Sequence, residues 1–565
     1  MKMPFLARPY LLSAAVRRIL HPPSAGMATN APGKDSQLFE YTRGRFLLDE
    51  DKQMARRRVQ FSLDGLASVA ATSVGANRCV DIEKCPDGLY NKAYLLTMDN
   101  GKEVIAKIPN PNAGIPYYTT ASEVATMEFA RNILQTPAPH VYAWNARVDE
   151  RNSVGAEYIV MEKMPGVPLS KVWWDLQPNK KLKILLQVVD YQRRWTHTKF
   201  TGFGSLYYAK DVDPRRQDPL YVKDGEAVTD SQFAIGPSVA REWSDEGRVN
   251  IKCDRGPWDS ILNYREAIGL REMAAIKELN HVPKQMAMVY GPAPLYQPTA
   301  QKKLAALGYY FQILESLLCE NALPTDGHLW HNDLHHENIF VDPEELKVLG
   351  IIDWQSVQIA PLFDHCVDPC FLDYNGPDVG DNLGRPAMPE SIKSLQGEEK
   401  TAALNEFLDK ALMIAWRSLV RSKNPEQYRM IRFQQSPSAN LLHLSRRIFE
   451  LGEAHFCALL LDLQDEWREN SQSNSSARRF PLTFSEPETI EIEADMRRAD
   501  LGIKLMKDIE RDLRNLWPEK GVVEHESYEQ VKALLKERKE ELIAQYCTLP
   551  GWDTAVFEQL WPFDD

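Results

Sequence analysis

The chain lacks the cysteine patterns that hold small extracellular domains and structural zinc sites together. It has eight cysteines in 565 residues, and no two of them form a C-x-x-C pair. A disulfide framework is dense in cysteine, and a cysteine-based zinc site needs closely spaced thiols. The sequence therefore favours a protein of a reducing compartment.

Long apolar runs and an excess of basic residues are also missing. The run "HFCALLLDL" is far shorter than the roughly 20 apolar residues that cross a bilayer. The net charge is −12, so the overall field does not attract nucleic acids or anionic membranes. We expect a protein without a membrane span that binds no nucleic acid and that binds any anion through local groups.

Acidic residues are absent from the first 34 positions. Residues 11–20 have a helical pattern with the apolar residues on one stripe and with Arg17 and Arg18 outside it. This pattern is typical of a mitochondrial transit peptide, and a disordered basic tail without an address is the alternative. We predict a transit peptide in residues 1–34 and a mitochondrial location, with Met27 as a second start for a shorter cytosolic form.

Strand and helix patterns follow one another after residue 80. Residues 88–109 have two strand-like runs around "MDNGK", which predicts a hairpin. Lys107 ends the second run, where a lysine is often only an edge-strand charge. Residues 119–134 predict a helix, and a strand that ends at Met161 and Glu162 leads into a Pro-Gly turn. Together these elements predict a small lobe.

The rest of the chain reads as turns and helices. Residues 198–298 are rich in turns and predict a long irregular insertion, and helices dominate after about residue 398. We divide the chain into an extension at 35–80, a small lobe at 81–165, a large lobe at 166–397 with the insertion at about 198–298 and a loop at 331–338, and a helical C-terminal part at 398–565.

The stretch "HLWHNDLHHENIFVDPEELKVLGIIDWQ" gathers polar groups beside two apolar runs. Phosphoryl transfer from ATP needs a lysine on the phosphates, an acid that holds this lysine, two magnesium ligands and a carboxylate that receives the attacking hydroxyl. Lys107, an acid on the following helix, and the loop residues supply these groups in that order. The loop residues are His331, Asp333, Asn338 and, after the second run, Asp353.

Two other interpretations of this loop are weaker. A zinc site on His331 and His335 needs a helix under both residues, but "NIFV" directly after them predicts a strand. If the His-rich loop only joined two strands, the order in which Lys107, the loop and Asp353 follow one another along the chain would be a coincidence. The sequence therefore favours groups that hold nucleotide phosphates and magnesium.

The spacing H-x-D-x-x-x-x-N, followed by "IIDWQ", resembles the protein-kinase-like aminoglycoside phosphotransferase and choline kinase family. The stretches "LFEYTRGRFLLDED", "VMEKMPGVPL" and "RGPWDS" resemble the fungal mitochondrial family named for altered inheritance of mitochondria protein 9. The resemblance covers nearly the whole chain after the predicted transit peptide. It implies an α+β, two-lobe fold with a small β-rich N-lobe and a large, mainly helical C-lobe that has an insertion and a helical C-terminal extension.

The resemblance also implies roles on the nucleotide side. Lys107 would contact the α and β phosphates of ATP, with Glu123 as its ion-pair partner and Glu128 as the rival for that role. The turn over the phosphates would contain Gly88 and Asn91, although the chain has no G-x-G-x-x-G. The residues expected where adenine meets the backbone between the lobes are Glu162 and Met164.

On the acceptor side, Asp333 would receive or orient the substrate hydroxyl, and Asn338 and Asp353 would bind Mg²⁺. His331 would pack and hydrogen-bond behind the loop. The chain departs from the family pattern at "HHE", which is bulkier than usual, and at Gln355, where an acid is common. Neither departure removes a group that phosphoryl transfer requires.

We therefore expect an ATP-dependent, Mg²⁺-requiring phosphotransferase whose acceptor is an alcohol group of an unidentified small molecule. A catalytically inactive ATP-binding scaffold with a role in mitochondrial maintenance is the alternative. A protein kinase is disfavoured because no Ala-Pro-Glu segment follows Asp353. The oligomeric state stays open. The residues expected to line an acceptor pocket are Trp243, Arg255, Trp258, Asp364 and Asp368.

Overall fold

The computed structural model describes residues 38–213, 218–279, 282–320, 323–372, 374–473 and 480–564. The predicted transit peptide at 1–34, with Met27, lies outside these residues. Within the described ranges, the helices are all too short or too polar to cross a bilayer.

The first third of the described chain builds an antiparallel sheet and three helices. Strands β2 to β6 form this sheet in the order β2-β3-β4-β6-β5, and the sheet is the centre of the small lobe. In chain order the elements are β1 (Arg45–Phe46), α1 (Glu50–Arg57), α2 (Leu63–Ser73), β2 (Cys79–Lys84), β3 (Asn91–Met98), β4 (Glu103–Pro109), α3 (Tyr118–Asn132), β5 (Val141–Asn145) and β6 (Tyr158–Glu162).

The hairpin predicted from "MDNGK" is confirmed. Strands β3 and β4 pair antiparallel along their whole length, and Gly101 has the positive φ, 81°, that the tight turn between them needs. Tyr94, Leu96 and other buried residues on one face of the sheet pack in a core with helix α2. Because side chains alternate along a strand, Ala106 belongs to that core while Lys107 faces the other way.

The large lobe begins with short strands and three long helices. Its strands form a five-stranded sheet in the order β11-β10-β8-β13-β16, a three-stranded sheet in the order β15-β14-β7, and the pair β12-β9. In chain order the elements are β7 (Val167–Pro168), α4 (Pro178–Thr196), β8 (Thr198–Phe200), β9 (Ser205–Tyr208), β10 (Tyr221–Lys223), β11 (Glu226–Val228), β12 (Phe233–Gly236), α5 (Ile261–Glu278), α6 (Ala300–Glu320), β13 (Gly327–Leu329), β14 (Ile339–Val341), β15 (Val348–Ile351) and β16 (Ile359–Pro361).

The prediction of an irregular segment at 198–298 was wrong in its second half. Helix α5 occupies residues 261–278 in this second half. In the first half, strands β8 and β10 join the sheet that contains β13. Helix α5 escaped detection because it buries Arg265, Arg271 and Glu272 together with its apolar residues. Buried charges blur the apolar stripe by which an amphipathic helix is recognised.

Helices dominate after about residue 398, as the sequence predicts, and two short α-helices lie between residues 362 and 394 of the described chain. Most of them pack on the large-lobe core, while the last three belong to a second core that also contains Leu47, Val289 and Val523. The elements are α7 (Leu362–His365), α8 (Glu390–Ser394), α9 (Gly397–Lys423), α10 (Pro425–Phe433), α11 (Pro437–Leu444), α12 (Ile448–Leu451), α13 (Ala454–Ser473), α14 (Glu486–Leu513), β17 (Val522–Val523), α15 (Tyr528–Tyr546) and α16 (Thr554–Leu560).

A small lobe built on one sheet and a large, mainly helical lobe make this an α+β fold. The two-lobe, kinase-like architecture implied by the resemblance is confirmed. Strand β4 of the small lobe and the end of β15 in the large lobe meet at a contact between Lys107 and Asp353. This contact marks the cleft between the lobes.

Candidate active site

Lys107 lies where the two lobes meet, with its amino group between two carboxylates. Its Nζ donates to Glu123 Oε1 at 2.6 Å and to Asp353 Oδ1 at 2.7 Å. Burial alone would lower the pKa of Lys107, but the charges of Asp353 and Glu123 outweigh it and raise the pKa above its usual range. Lys107 therefore stays charged in a site from which water is nearly excluded, because it is 6% exposed.

Helix α3 presents Glu123, and not Glu128, to this lysine. Glu123 is buried, and burial raises its pKa while the charge of Lys107 opposes the rise. Glu128 accepts hydrogen bonds from Tyr208 Oη and from Gln232 Nε2 in the large lobe. The two candidates left open by the sequence thus lie on different faces of α3, and Glu123 is the one in contact with Lys107.

The loop after β13 presents Asp333 to solvent. Its side chain is 68% exposed, so the hydroxyl of a small molecule can reach it. Asn338 Nδ2 donates to the backbone oxygen of Asp333 at 3.0 Å and closes the loop. The buried ring of His331 has its Nε2 2.8 Å from the oxygen of Ile352 and packs edge-on against Trp354. His331 therefore supports the loop from behind.

His335 is a member of the site that the sequence analysis considered only as a zinc ligand. Its Nε2 lies 3.6 Å from Asp333 Oδ2. Loss of water would raise the pKa of Asp333, but the nearby His335 outweighs it and lowers the pKa to about 2. Asp333 in turn raises the pKa of His335 against the burial that would lower it. The sequence signal that could have identified His335 as a member of the site is a histidine two residues after an acid in a turn.

A left-handed backbone at Asp353 turns the chain at the end of β15. Its φ is 62°, which is uncommon for a residue other than glycine and is typical of functional sites. The next residue, Trp354, is buried, and its Nε1 donates to Ile351 O at 2.8 Å. The buried indole and the strand fix the backbone on both sides of Asp353, so its carboxylate is held beside Lys107.

Asn338 and Asp353 offer oxygen ligands of the kind that Mg²⁺ prefers. The backbone nitrogen of Ile352 donates to Asn338 O at 2.9 Å, which places Asn338 next to the strand that ends at Asp353. Among the described residues, His, Cys, Asp and Glu side chains form no cluster of three that could hold a metal ion. The amide oxygen of Asn338 and the carboxylate of Asp353 are two donors that fit an ion that takes its other ligands from phosphate oxygens and water, as Mg²⁺ does with nucleotides.

The turn before β3 contacts the segment after Asp353. Gly88 N donates to Asn91 O at 3.2 Å, so these two residues close the turn. The side-chain amides of Asn91 and Gln355 bond to each other in both directions, each at 3.0 Å. Gln355, which stands where an acid is common, therefore ties the small-lobe turn to the large lobe.

The connection between the lobes begins at Glu162. Its carboxylate accepts from Arg131 Nη1 and from the backbone nitrogen of His140, both at 3.0 Å. Met164 is buried and packs against Gly350. A Cβ added to Gly350 would lie only 2.7 Å from the Cε of Met164. Both side chains are engaged with the protein, so a contact with adenine at this point would use the backbone.

The five large-lobe residues expected at an acceptor pocket make structural contacts. Trp243 and Trp258 are buried with their rings 5.1 Å apart, and Arg255 donates to backbone oxygens. Asp364 pairs with the buried Arg265 and with Arg446, and Asp368 with Arg417. The expectation that these residues line a pocket is wrong, because core packing and ion pairs already occupy them.

Comparisons with known proteins agree with this arrangement. Residues 267–364 match the model of the Phosphotransferase enzyme family, a range that contains Asp333, Asn338 and Asp353. A Subtelomeric hrmA-associated cluster protein of Aspergillus fumigatus is 33% identical over 57% of this chain and 66% of its own length. The chain thus spans slightly less than two thirds of that relative.

Relatives named Altered inheritance of mitochondria protein 9, mitochondrial, are also similar. The one from Eremothecium gossypii is 26% identical over 81% of this chain and 84% of its own length, and the one from Yarrowia lipolytica is 25% identical over 59% and 60%. Together with the family match, they confirm the resemblance inferred from the motifs: residues 267–364 match a phosphotransferase family, and the chain is similar to these fungal proteins.

Solved structures similar to this chain include two kinases of small molecules. An aminoglycoside phosphotransferase, APH(4)-Ia, in a ternary complex with AMP-PNP and hygromycin B, is 12% identical and covers 78% of this chain and 98% of its own, with a TM-score of 0.31. An ethanolamine kinase of Plasmodium vivax is 11% identical and covers 65% and 84%, with a TM-score of 0.29.

Proposed function

We propose that the protein is an ATP-dependent phosphotransferase that phosphorylates a hydroxyl group of a small molecule. The observation that carries this proposal is the position of Lys107 Nζ between Glu123 and Asp353, at 2.6 Å and 2.7 Å. A lysine held in this way, next to a loop with an exposed aspartate, is the arrangement that positions ATP phosphates for transfer.

Each group has one task in this proposal. Lys107 binds the phosphates through its charge, and Glu123 holds the lysine in place. Asn338 and Asp353 hold Mg²⁺, which supplies positive charge against the phosphate oxygens when bound. Asp333 is ionised at neutral pH, because its pKa is about 2, so it can accept a hydrogen bond from the acceptor hydroxyl and orient it.

The reaction then follows the usual course of phosphoryl transfer. The hydroxyl oxygen of the acceptor bonds to the γ-phosphorus while the bond from this phosphorus to the β–γ bridging oxygen breaks. The hydroxyl proton passes to Asp333 and on to water, and ADP leaves. The exposure of Asp333 at 68% supports its role as the group that meets the acceptor.

The experiment that tests this proposal follows label from the γ-phosphate of ATP into a metabolite extract of fungal mitochondria. We expect the full chain with Mg-ATP to label at least one hydroxyl compound. Nucleotide binding without transfer to any fraction would favour the inactive scaffold instead. The Asn91–Gln355 amide pair is the observation that favours this second candidate, because it engages a neutral residue, Gln355, at the position where the family commonly has an acid.

We also propose that the protein works in mitochondria. The relatives named as mitochondrial support this location, as does the acid-free segment at 1–34. Residues 1–34 fused to a fluorescent protein should enter mitochondria, and the double substitution Arg17→Glu and Arg18→Glu should stop import. A form that starts at Met27 should stay in the cytosol. A wild-type fusion that stays cytosolic would contradict the proposed address.

A further inference from the structure

Four hydrogen bonds converge on the carboxylate of Asp87, in the turn between β2 and β3 that is expected over the phosphates. Its Oδ2 accepts from Thr42 N at 2.8 Å, from Thr42 Oγ1 at 2.9 Å and from Lys84 Nζ at 2.5 Å. Its Oδ1 accepts from Lys92 Nζ at 3.2 Å. Asp87 is 3% exposed, so these contacts are shielded from water. The turn is therefore fastened to a distant segment of the chain, the residues around Thr42.

The two lysines also reach that segment directly. Lys84, at the end of β2, and Lys92, in β3, donate to the same backbone oxygen, Glu40 O, at 2.7 Å and 2.6 Å. Lys92 is buried, so protein acceptors must replace the water that its ammonium group loses. Burial raises the pKa of Asp87, but the hydrogen bond from Lys84 and the charge of Lys92 outweigh it and keep the pKa below its ordinary value. Both strands that flank the turn are thus bonded to Asp87 and to the backbone at Glu40.

Residues 38–47, which we call the N-terminal strap, continue from these contacts to the C-terminal helices. At the start of the strap, Tyr94 Oη of β3 donates to Leu38 O at 2.7 Å. At its end, strand β1 pairs antiparallel with β17, and Leu47 N donates to Gly521 O at 3.1 Å. The strap therefore joins the small lobe to the C-terminal part of the chain.

The strap is packed closely where it meets the C-terminal helices. A Cβ on Gly44 would lie 2.4 Å from Val523 O, so the close approach of the two segments requires glycine there. Leu47 of the strap shares one core with helices α14 to α16. Gly44 and Thr42 are two positions apart in the chain, so a shift of the strap on β17 would also move the contact between Thr42 and Asp87.

Other contacts hold the same turn. Asn110 Nδ2 donates to Leu89 O at 3.1 Å, and Asn110 N donates to Tyr90 O at 2.9 Å. The guanidinium of Arg241, from the large lobe, lies 3.6 Å from the centre of the Tyr90 ring. A turn that bonds to phosphates through its backbone needs its N–H groups in place before the ligand arrives. Asp87 is the residue of the turn whose side chain connects it to the strap.

We propose that Asp87 is a positioning residue for nucleotide binding, which fixes the turn over the ATP phosphates to the N-terminal strap and, through the strap, to the C-terminal helices. The inference rests on the proposed function and deepens it, because it makes the affinity for ATP depend on both extensions of the chain. Asp87 acts through the backbone of the turn and does not touch the nucleotide. If its role were only structural, its loss would change the stability of the fold but not the affinity of the folded protein for Mg-ATP.

The test measures the affinity of the full chain for Mg-ATP by calorimetry, at a temperature at which circular dichroism shows each variant to be folded. Asp87→Asn keeps the shape of the side chain and removes its charge, so it weakens the bonds from both lysines and should lower the affinity about tenfold. Asp99→Asn is the matched control, because Asp99 is an exposed residue of the turn at the other end of β3, and it should leave the affinity unchanged. Equal affinity in Asp87→Asn and wild type contradicts the inference.

Substitutions of Thr42 keep the test decisive if Asp87→Asn does not fold. Thr42 is exposed, and Thr42→Val removes the hydroxyl that bonds to Asp87 while it keeps the size of the side chain. The affinity for Mg-ATP should fall about threefold, as expected for the loss of one hydrogen bond. Thr42→Ser keeps the hydroxyl and should retain the affinity of wild type. An equal affinity in Thr42→Val and Thr42→Ser overturns the inference.

Gly44→Ala tests the other end of the strap. The added Cβ would collide with Val523 O, so the strap must shift on β17, and the affinity for Mg-ATP should fall about threefold or more. Gly308→Ala in α6 is the matched control, because a Cβ there has open space among the described residues, and it should leave the affinity unchanged. Wild-type affinity in Gly44→Ala overturns the connection to the C-terminal helices.

The same samples are assayed for transfer of label from ATP. An affinity for Mg-ATP that falls in Asp87→Asn, while wild type transfers label to no acceptor, supports the role of Asp87 and overturns the proposed transfer. Equal affinity in Asp87→Asn and wild type, with transfer by wild type, overturns the inference alone. A wild type that does not bind Mg-ATP overturns both.

Discussion

The nucleotide side and the acceptor side of the candidate active site handle charge in different ways. On the nucleotide side, Lys107 and Glu123 are buried and paired, and Asp353 completes the group. On the acceptor side, Asp333 is exposed and lies next to the partly buried His335.

This difference separates a preformed half of the site from a half that a ligand completes. Buried, paired charges cost little to keep in place once the protein has folded, so they give a fixed frame for a ligand such as ATP. Exposed or unpartnered charges gain most from a ligand of opposite sign. Substitutions on the two sides should therefore differ first in their effect on stability.

The largest difference in stability is expected between Lys107 and Asp333. Lys107→Ala leaves Glu123 buried without its partner and should lower the free energy of unfolding by about 3 to 5 kcal/mol. Asp333→Asn changes an exposed residue and should alter it by about 1 kcal/mol or less. Urea denaturation followed by circular dichroism measures both. Equal losses would show that the two sides do not differ in the proposed way.

A smaller effect separates the two glutamates of helix α3. Glu123→Gln weakens the charged bond that orients Lys107 and should lower the affinity for Mg-ATP about tenfold. Glu128→Gln is the matched control, because Glu128 contacts Tyr208 and Gln232 instead, and it should leave the affinity unchanged. Calorimetry measures the Mg-ATP affinity of both variants. An equal loss of affinity in both would show that Glu123 has no special role in holding Lys107.

The smallest effect concerns the pair of His335 and Asp333. The folded pKa of His335 lies above 6.5, so its contribution to stability is complete below pH 6.5 and is lost as the pH rises through the folded value. The folded pKa of Asp333 is about 2, below its ordinary 3.8, so its contribution is present above pH 3.8 and is lost toward pH 2. Wild type should therefore exceed His335→Gln in stability mainly between pH 3.8 and pH 6.5, by less than about 1 kcal/mol. A difference that does not vary with pH contradicts this pairing.

The nucleotide side was predictable because its signals are local. Asn-Gly between two strand patterns predicts the β3–β4 hairpin and with it the position of Lys107 at a strand end. The sequence could not decide which glutamate pairs with Lys107. Glu123 and Glu128 are five residues apart and about 140° apart around a helix, so the choice depends on how the helix is rotated. Only the packing of α3 between the lobes selects Glu123.

The join between the N-terminal and C-terminal extensions was not predictable, because it depends on contacts between distant segments. The strands β1 and β17 that join the extensions have two residues each. Two residues are too few to leave a periodic pattern. The tryptophans and acids expected at the pocket were misleading for the opposite reason, since the tryptophans pack in the core and the carboxylates pair with the buried arginines Arg265 and Arg417.

The central claim is phosphoryl transfer at Asp333, and a paired measurement on two aspartates tests it most directly. Asp353→Asn should weaken the binding of Mg-ATP, because it removes charge from the magnesium site. Asp333→Asn keeps the shape of the loop residue, so it should leave Mg-ATP affinity nearly unchanged while turnover with the labelled acceptor falls by roughly 10² to 10⁴. Wild type that binds Mg-ATP and yet matches Asp333→Asn in turnover across a broad acceptor screen would contradict the account.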